Sequence, residues 1–388
     1  MIRERFKKIT YGGGLDLKSA AAPVCGTMTD TETSATTIDL SADPYDLSPA
    51  IDHIVTTAKD ALAADQKVIL MLGEEHGTIT DVRMAELVHR GLQQAGIENP
   101  VIATETPHNF VEFLLPRFFP DNSHSTFRAQ AAQALSSLKA INPARYRHLQ
   151  SLTFAACMWT LAPVTRLENS SSWQDKGLDV RPIDMAKTRG DCLDYADRTA
   201  KNFIDANASP SIKDKSHILT NDEEGVRLRN KWMAMQLQSI SVQNRVTILQ
   251  TGSTHLGGAA GIYPYPDSLH GILAMAANNN MKIISLFPEN HGDTFKNFLP
   301  RAAKNAMNNP DTIILCGQDE TQHWRNRCDL FEDEIKTLTR ISGPSFRPRI
   351  RTEYDYHALR GEYEQQLKNE IRAATEEFTP LMANKFPR

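Results

Sequence analysis

Apolar positions along the chain form two kinds of run. Ala50, Ile51, Ile54, Val55, Ala58 and Leu62 recur at helical spacing and lead into Lys67-Val-Ile-Leu-Met-Leu72, a short continuous apolar stretch typical of a strand buried on both faces. A turn follows at Gly73-Glu-Glu-His-Gly77. Thr80-Asp81 then precedes Val82, Met84, Leu87, Val88 and Leu92, again at helical spacing, and Gly96 stands where a glycine stops a helix. Pro100-Val-Ile-Ala-Thr-Glu105 is the next strand. Strand, helix and strand within about forty residues make a βαβ unit, whose helical crossover requires parallel strands.

From Asn109 to about Glu168 every signal is helical: Phe110, Phe113 and Leu114, then Ala129 to Leu138, then Tyr146, Leu149, Leu152 and Cys157 to Leu161. This predicts a helical insertion at about 109–168, a lid over the sheet edge. Leu178 to Asp184 returns to strand, with Pro182 arguing against an internal position. A long helix carrying Val226, Arg229, Trp232, Met233 and Leu237 feeds Val246-Thr-Ile-Leu-Gln250 and a second glycine turn. Lys282 to Phe287 and Thr312 to Cys316 complete about six apolar strands separated by helices. The alternation predicts an α/β fold over residues 47–328, with a mostly parallel central sheet flanked by helices.

The segments on either side differ from this domain. Residues 1–46 are rich in Ser and Thr with neither period, which predicts a disordered polar leader. Residues 329–388 form a charged helical extension, interrupted at Pro344 and Pro348 and continuing as a Glu/Lys-rich helix from about Tyr354 to Glu377. A separate appendage, an oligomerisation arm and a clasp folded back onto the sheet all fit that pattern.

Composition narrows the function classes. The 388 residues carry 43 Lys and Arg against 47 Asp and Glu, a formal net charge of -4, without the basic excess of a nucleic-acid binder. Nucleic acid is therefore not an expected partner. No apolar run approaches the roughly 18–20 residues that span a bilayer, and Gly12-Gly-Gly14 and Asp16 stand where a secretory signal needs its apolar stretch. Five scattered cysteines suit a compartment where thiols stay reduced. The expected location is the cytoplasm of the producing cell; a Ser/Thr-rich leader also suits specialised secretion into a host.

Two predicted strands end alike, in Gly73-Glu-Glu-His76 and Gly252-Ser-Thr-His255, each Gly-x-x-His. Parallel α/β sheets bind ligands beyond the carboxyl ends of their strands, so His76 and His255 should share one rim, with Gly73 and Gly252 bringing backbone N–H groups close to a ligand. Glu105 ends the strand between them in the chain. Arg229 should face the sheet alongside Met233, and a buried arginine needs a carboxylate, supplied by Glu74 or Glu105, or an anionic ligand. Such a rim has two hydrolytic uses. His76, His255 and Glu105 could ligate a divalent transition ion such as Mn, Co or Zn that activates water. Alternatively His76 takes a proton from water, oriented by Glu74 or Glu105, with Arg229 or backbone amides stabilising the developing negative charge.

Lesser candidates have ordinary structural explanations. Arg83 lies two helical turns beyond His76 but suits a solvated helix face. Asp184 adds a carboxylate or caps a helix over Ala186 to Cys192. Cys316, His323 and Cys328 have ligand types at an unusual zinc spacing, Trp159 and Trp173 suit packing, and Arg347, Arg349 and Arg351 suit a solvated loop.

In order, Gly73-Glu-Glu-His-Gly77, Ala103-Thr-Glu105, Arg229-Asn-Lys-Trp-Met-Ala234 and Gly252-Ser-Thr-His255 resemble the superfamily of erythromycin esterase, ChaN, TraB and Tiki proteins. The resemblance covers about Lys67 to Phe287. Its esterase members imply Glu74 and His76 activating water without a required metal, whereas its Tiki members imply a metal-dependent protease using both Gly-x-x-His motifs. Substrates would be small molecules or peptides. ChaN-type members imply haem carriage, against which this chain lacks an apolar leader and lipobox before Cys25. Toxins and injected plant-pathogen effectors with this fold imply, as another alternative, action on host signalling or cell death through a host protein partner. The insertion, tail and leader suit that alternative.

Overall fold

The computed structural model describes residues 35–39, 46–74, 79–157, 179–188, 191–252, 255–256, 268–276, 280–288, 312–316 and 353–383. Seven strands form one sheet: β1 (Thr36–Asp39), β2 (Lys67–Glu74), β3 (Val101–Pro107), β4 (Val180–Asp184), β5 (Val246–Gly252), β6 (Met281–Pro288) and β7 (Thr312–Cys316), in the order β1-β7-β6-β2-β5-β3-β4. All the strand pairings are parallel. The α/β architecture expected from the alternation of strand and helix is thus present. The expected leader is corrected at Thr36–Asp39, which pairs with Ile313 to Cys316 as an edge strand. Its short Thr-Thr-Ile-Asp sequence, half-buried on alternate residues, carries too little apolar signal to stand out from a polar segment.

Nine helices are described: α1 (Ser48–Ala63), α2 (Ile79–Gln94), α3 (Phe110–Phe118), α4 (Ser125–Ile141), α5 (Pro143–Cys157), α6 (Arg198–Asn207), α7 (Glu223–Gln243), α8 (Leu269–Ala276) and α9 (Glu353–Ala383). The apolar run of β2 serves both faces of the sheet. Val68, Leu70 and Leu72 pack with Ile54 and Ala58 of α1 and Val88 and Leu92 of α2. Ile69 and Met71 pack on the opposite side with Met233 and Leu237 of α7 and Leu269 and Leu273 of α8. That two-sided burial is why the strand reads as an unbroken hydrophobic run.

Helix α2 ends as its sequence predicts. Gly96 takes φ +81, Gly96 N donates to Gln93 O, and Ile97 N donates to Leu92 O. This is the glycine-closed Schellman arrangement, with Ile97 returning its side chain to the core around Leu92. Pro182 also finds a fitting place, because β4 is an edge strand and its missing N–H interrupts no ladder beyond it.

The insertion and the C-terminal extension form a second core. Val111, Leu115 and Phe118 of α3, Leu135 and Leu138 of α4, and Leu149 and Leu152 of α5 enclose Leu367, Ile371, Ala374 and Phe378 of α9. Those four α9 positions recur at helical spacing along one stripe. Arg145 reinforces the contact from α5, its guanidinium 3.4 Å from Glu370 and 2.7 Å from Glu377. The expected clasp onto the sheet is corrected: α9 closes as a clasp on the helical insertion. None of the described helices is long and apolar enough to cross a membrane.

Candidate functional site

The two glycine-ended strands, β2 and β5, are neighbours, and their last residues lie side by side, Gly73 beside Thr251 and Glu74 beside Gly252. Beyond β2 the chain enters α2 on one face of the sheet, whereas Leu256 beyond β5 joins the core on the other. Adjacent parallel strands whose continuations part to opposite faces leave a crevice at their carboxyl ends, the usual ligand position in such sheets.

Glu105 organises the rim on the α7 side. Val101 and Ala103 pack against the α7 core, and the two-residue repeat of the strand places Glu105 on the same side. Its Oε1 accepts from Arg229 Nη2 and faces His255 Nε2 at 3.1 Å. Its Oε2 accepts from Thr251 Oγ1 at 2.9 Å and from Gly252 N at 2.8 Å. Four donors converge on one carboxylate whose side chain is 8% exposed.

Arg229 reaches this point because α7 lays Met233 and Leu237 on the sheet and carries residue 229 one turn earlier on the same face. Its Nε lies 3.0 Å from Asp184 Oδ1, Nη2 lies 2.9 Å from Asp184 Oδ2, and Nη1 donates to Thr220 O at 3.3 Å. The guanidinium fork thus grips Asp184 with two N–H groups while also serving Glu105. Lys187 Nζ adds a second cation 3.3 Å from Asp184. Burial alone would raise the pKa of Asp184, but Arg229 and Lys187 outweigh it and hold the carboxyl below its ordinary value. Burial works against the charge of Arg229 too, and the two carboxylates reverse that effect and raise its pKa.

The expected anion-stabilising role of Arg229 is corrected by these contacts. The side chain is 3% exposed and its hydrogen bonds run to internal acceptors, so it neutralises the protein's own carboxylates. Asp184 is likewise no helix cap: residues 185–188 are not helical, and Asp184 Oδ1 accepts from Met185 N at 2.8 Å.

His255 is buried between Glu105 and Asn230, whose Oδ1 lies 2.5 Å from His255 Nδ1. Asn230 and Thr251 are members that sequence reasoning did not single out. The signal for Asn230 was present, since it is polar yet sits four residues before buried Ala234 on the sheet-facing side of α7.

Next to this network, His108 follows β3, stacks on Trp232 with ring centroids 5.9 Å apart, and places Nε2 3.5 Å from Asp197. Burial, aided by Lys139 and opposed by Asp197, lowers its pKa. Its carbonyl accepts from Lys139 Nζ at 3.1 Å and Tyr146 Oη at 3.0 Å, tying the end of β3 to α4 and α5.

Of the expected site, Glu105, Arg229, His255 and Gly252 come together, and Gly73 and Glu74 are positioned beside them through the backbone of β2. His76 lies outside the described residues, as do Trp159, Trp173, His323, Cys328, Arg347, Arg349 and Arg351; Arg83 is described only as a position in α2. As metal ligands Glu105 and His255 fit poorly, because they bond each other and Glu105 already receives donors on both oxygens. No group of three or more His, Cys, Asp or Glu among the described residues is placed to hold a metal. Compared with known proteins, the chain matches no family model, no curated protein and no solved structure.

Proposed function

We propose that this chain is a hydrolase of ester or amide bonds in small-molecule or peptide substrates, acting through a water activated by Glu74 and His76 without a bound metal. The observation that carries the reading is the Glu105 carboxylate, which joins Arg229 to His255 across sequence separations of 124 and 150 residues at the ends of adjoining strands. A buried network of this kind costs desolvation unless every member is paired, and here it braces the β5 side of a switch-point crevice whose other side carries Glu74. The metal-free form is favoured because both oxygens of Glu105 already accept from N–H or O–H groups and both ring nitrogens of His255 already face side-chain oxygens.

In this reaction His76 takes a proton from water as its oxygen attacks the carbonyl carbon, with Glu74 orienting the imidazole. The carbonyl electron pair moves onto oxygen, where backbone N–H groups stabilise the developing negative charge. Collapse expels the alkoxide or amine, which receives the proton back from His76. The network of Glu105, Arg229 and His255 holds the opposite strand end rigid and does not itself exchange protons.

The test is hydrolysis of a panel of nitrophenyl esters, lactones and peptide anilides by the wild type, Glu74→Gln and His76→Ala, with and without a chelator. The expected result is turnover insensitive to the chelator that falls by about 10²-fold or more in both variants, at nearly unchanged melting temperature. Equal turnover in wild type and variants would overturn the proposal, and full loss on chelation would overturn its metal-free form.

A further inference from the structure

We infer that Glu112 works as an uncharged carboxylic acid, the first donor in a chain through Tyr146 to the His108 carbonyl that latches the helical insertion onto the end of β3. Tyr146 Oη lies 2.6 Å from Glu112 Oε2 and 3.0 Å from His108 O. A phenol has one proton to give, and a peptide carbonyl only accepts. Both contacts are full hydrogen bonds in one arrangement: Glu112 donates its carboxyl proton to Tyr146 Oη, and Tyr146 donates to His108 O. An ionised Glu112 would instead claim the phenol proton and leave the phenol oxygen facing the carbonyl oxygen without a proton between them.

The surroundings of the carboxyl favour the protonated form. Glu112 lies in the first turn of α3, with Tyr146 of α5, Lys139 of α4 and Asp197 at the start of α6 acting on it, and His108 paired with Asp197 beside it. Burial, aided by Asp197, raises the pKa of Glu112 above the ordinary 4.5, against Lys139 and the hydrogen bonds of Tyr146 and of its own N–H. Lys139 Nζ is committed to the same His108 carbonyl at 3.1 Å, and burial lowers its own pKa. Burial also raises the pKa of the Tyr146 phenol, so its single proton stays in place. The chain ends three residues beyond Glu105, so the state of one carboxyl governs how the insertion is held to the strand that carries the candidate site. Its bearing on catalysis rests on the proposed function, whereas the proton chain does not.

The experiment is carbon-13 NMR on full-length protein labelled at glutamate carboxyls and histidine carbonyls, with the two signals identified by their loss in Glu112→Gln and His108→Gln. Glu112 is expected to titrate above 4.5, and the His108 carbonyl signal to move with the same midpoint as the phenol proton leaves it. In Glu112→Gln the side-chain amide donates to Tyr146 at every pH, so that movement should vanish; in Tyr146→Phe it should vanish because the donor is gone. Stability gives a second readout. The folded chain keeps a proton that the unfolded chain releases near 4.5, so this stabilisation is complete below 4.5 and is lost as the pH rises through the folded value. Over that window the urea midpoint of Glu112→Gln should rise relative to wild type. A Glu112 midpoint at or below 4.5 would overturn the inference. So would a His108 carbonyl signal that does not follow Glu112, or one that moves unchanged in Glu112→Gln. Hydrolysis enters none of these measurements, so a protein that hydrolyses nothing would lose the proposed function and keep the latch.

Discussion

Arg229 donates to Glu105 from a position 124 residues further along the chain, with the two side chains 3% and 8% exposed. The same guanidinium grips Asp184, whose side chain is 0% exposed. Removing the arginine therefore strands two buried carboxylates at once. Arg229→Met is expected to destabilise the fold by about 3–5 kcal/mol, read as a lower urea midpoint. Arg229→Lys should recover less than half of that loss, because a single ammonium cannot span Asp184, Glu105 and the Thr220 carbonyl together.

Stability should also fall in acid in two separable stages. His89 is 5% exposed on α2, and burial, partly opposed by its hydrogen bond to the Pro100 carbonyl, lowers its pKa from 6.5 to about 4. Between those values the unfolded chain binds a proton that the folded chain refuses, so this contribution is complete above pH 6.5 and is lost as the pH falls to about 4. The loss is about 3 kcal/mol. Asp184 has a lowered pKa, so its contribution is present above the ordinary carboxylate value of 3.8 and disappears only below it. Denaturant titrations at several pH values should show His89→Gln reducing the slope between pH 6.5 and 4, with the lowered pKa of His108 keeping part of it, while leaving the loss at lower pH.

The limits of sequence reading follow from the same physics. The buried strands β2, β5, β6 and β7 were legible because two-sided burial demands continuous apolar runs, and Glu105, Arg229 and His255 were legible because glycine turns and a core-facing arginine are locally unusual. Strand β1 was missed because a four-residue edge strand needs little apolar surface. Asn230 and the structural role of Asp184 depend on which partners long-range folding delivers. Neither residue has a local pattern that distinguishes a network member from a helix or cap residue. The destination of α9 was equally hidden: its apolar stripe announces that it packs, and not on what.

The clasp gives a prediction that separates packing from charge. Ile371 is fully buried among the insertion helices, so Ile371→Ala should cost about 2–4 kcal/mol through lost contact and the cavity left behind. Arg145 pairs with Glu370 and Glu377 at the partly solvated edge of the same interface, its side chain 27% exposed. Arg145→Ala should cost less than about 1 kcal/mol in the same denaturation experiment. Equal effects would mean that charge, rather than the apolar stripe, fastens α9 to the insertion.

Gly225 links packing to the site itself. It lies in the first turn of α7, one turn before Arg229, and a Cβ added there would lie 1.9 Å from the carbonyl oxygen of Leu219. That obstacle is backbone, adjacent to Thr220, whose own carbonyl receives Arg229 Nη1 and whose N–H donates to Asp191 O. Neither side can yield without moving a hydrogen-bonded segment, so Gly225→Ala should destabilise by about 1–3 kcal/mol despite the better helix propensity of alanine. Gly361 provides the control: it lies on the exposed face of α9 with nothing within 4 Å of an added Cβ, and Gly361→Ala should stabilise by about 0.5–1 kcal/mol. Because the displaced segment also anchors the guanidinium, Gly225→Ala should loosen the Arg229–Glu105–His255 network as well. In nitrogen–proton NMR of protein labelled at histidine nitrogens, the His255 signals of Gly225→Ala should broaden or shift, while those of Gly361→Ala superimpose on the wild type.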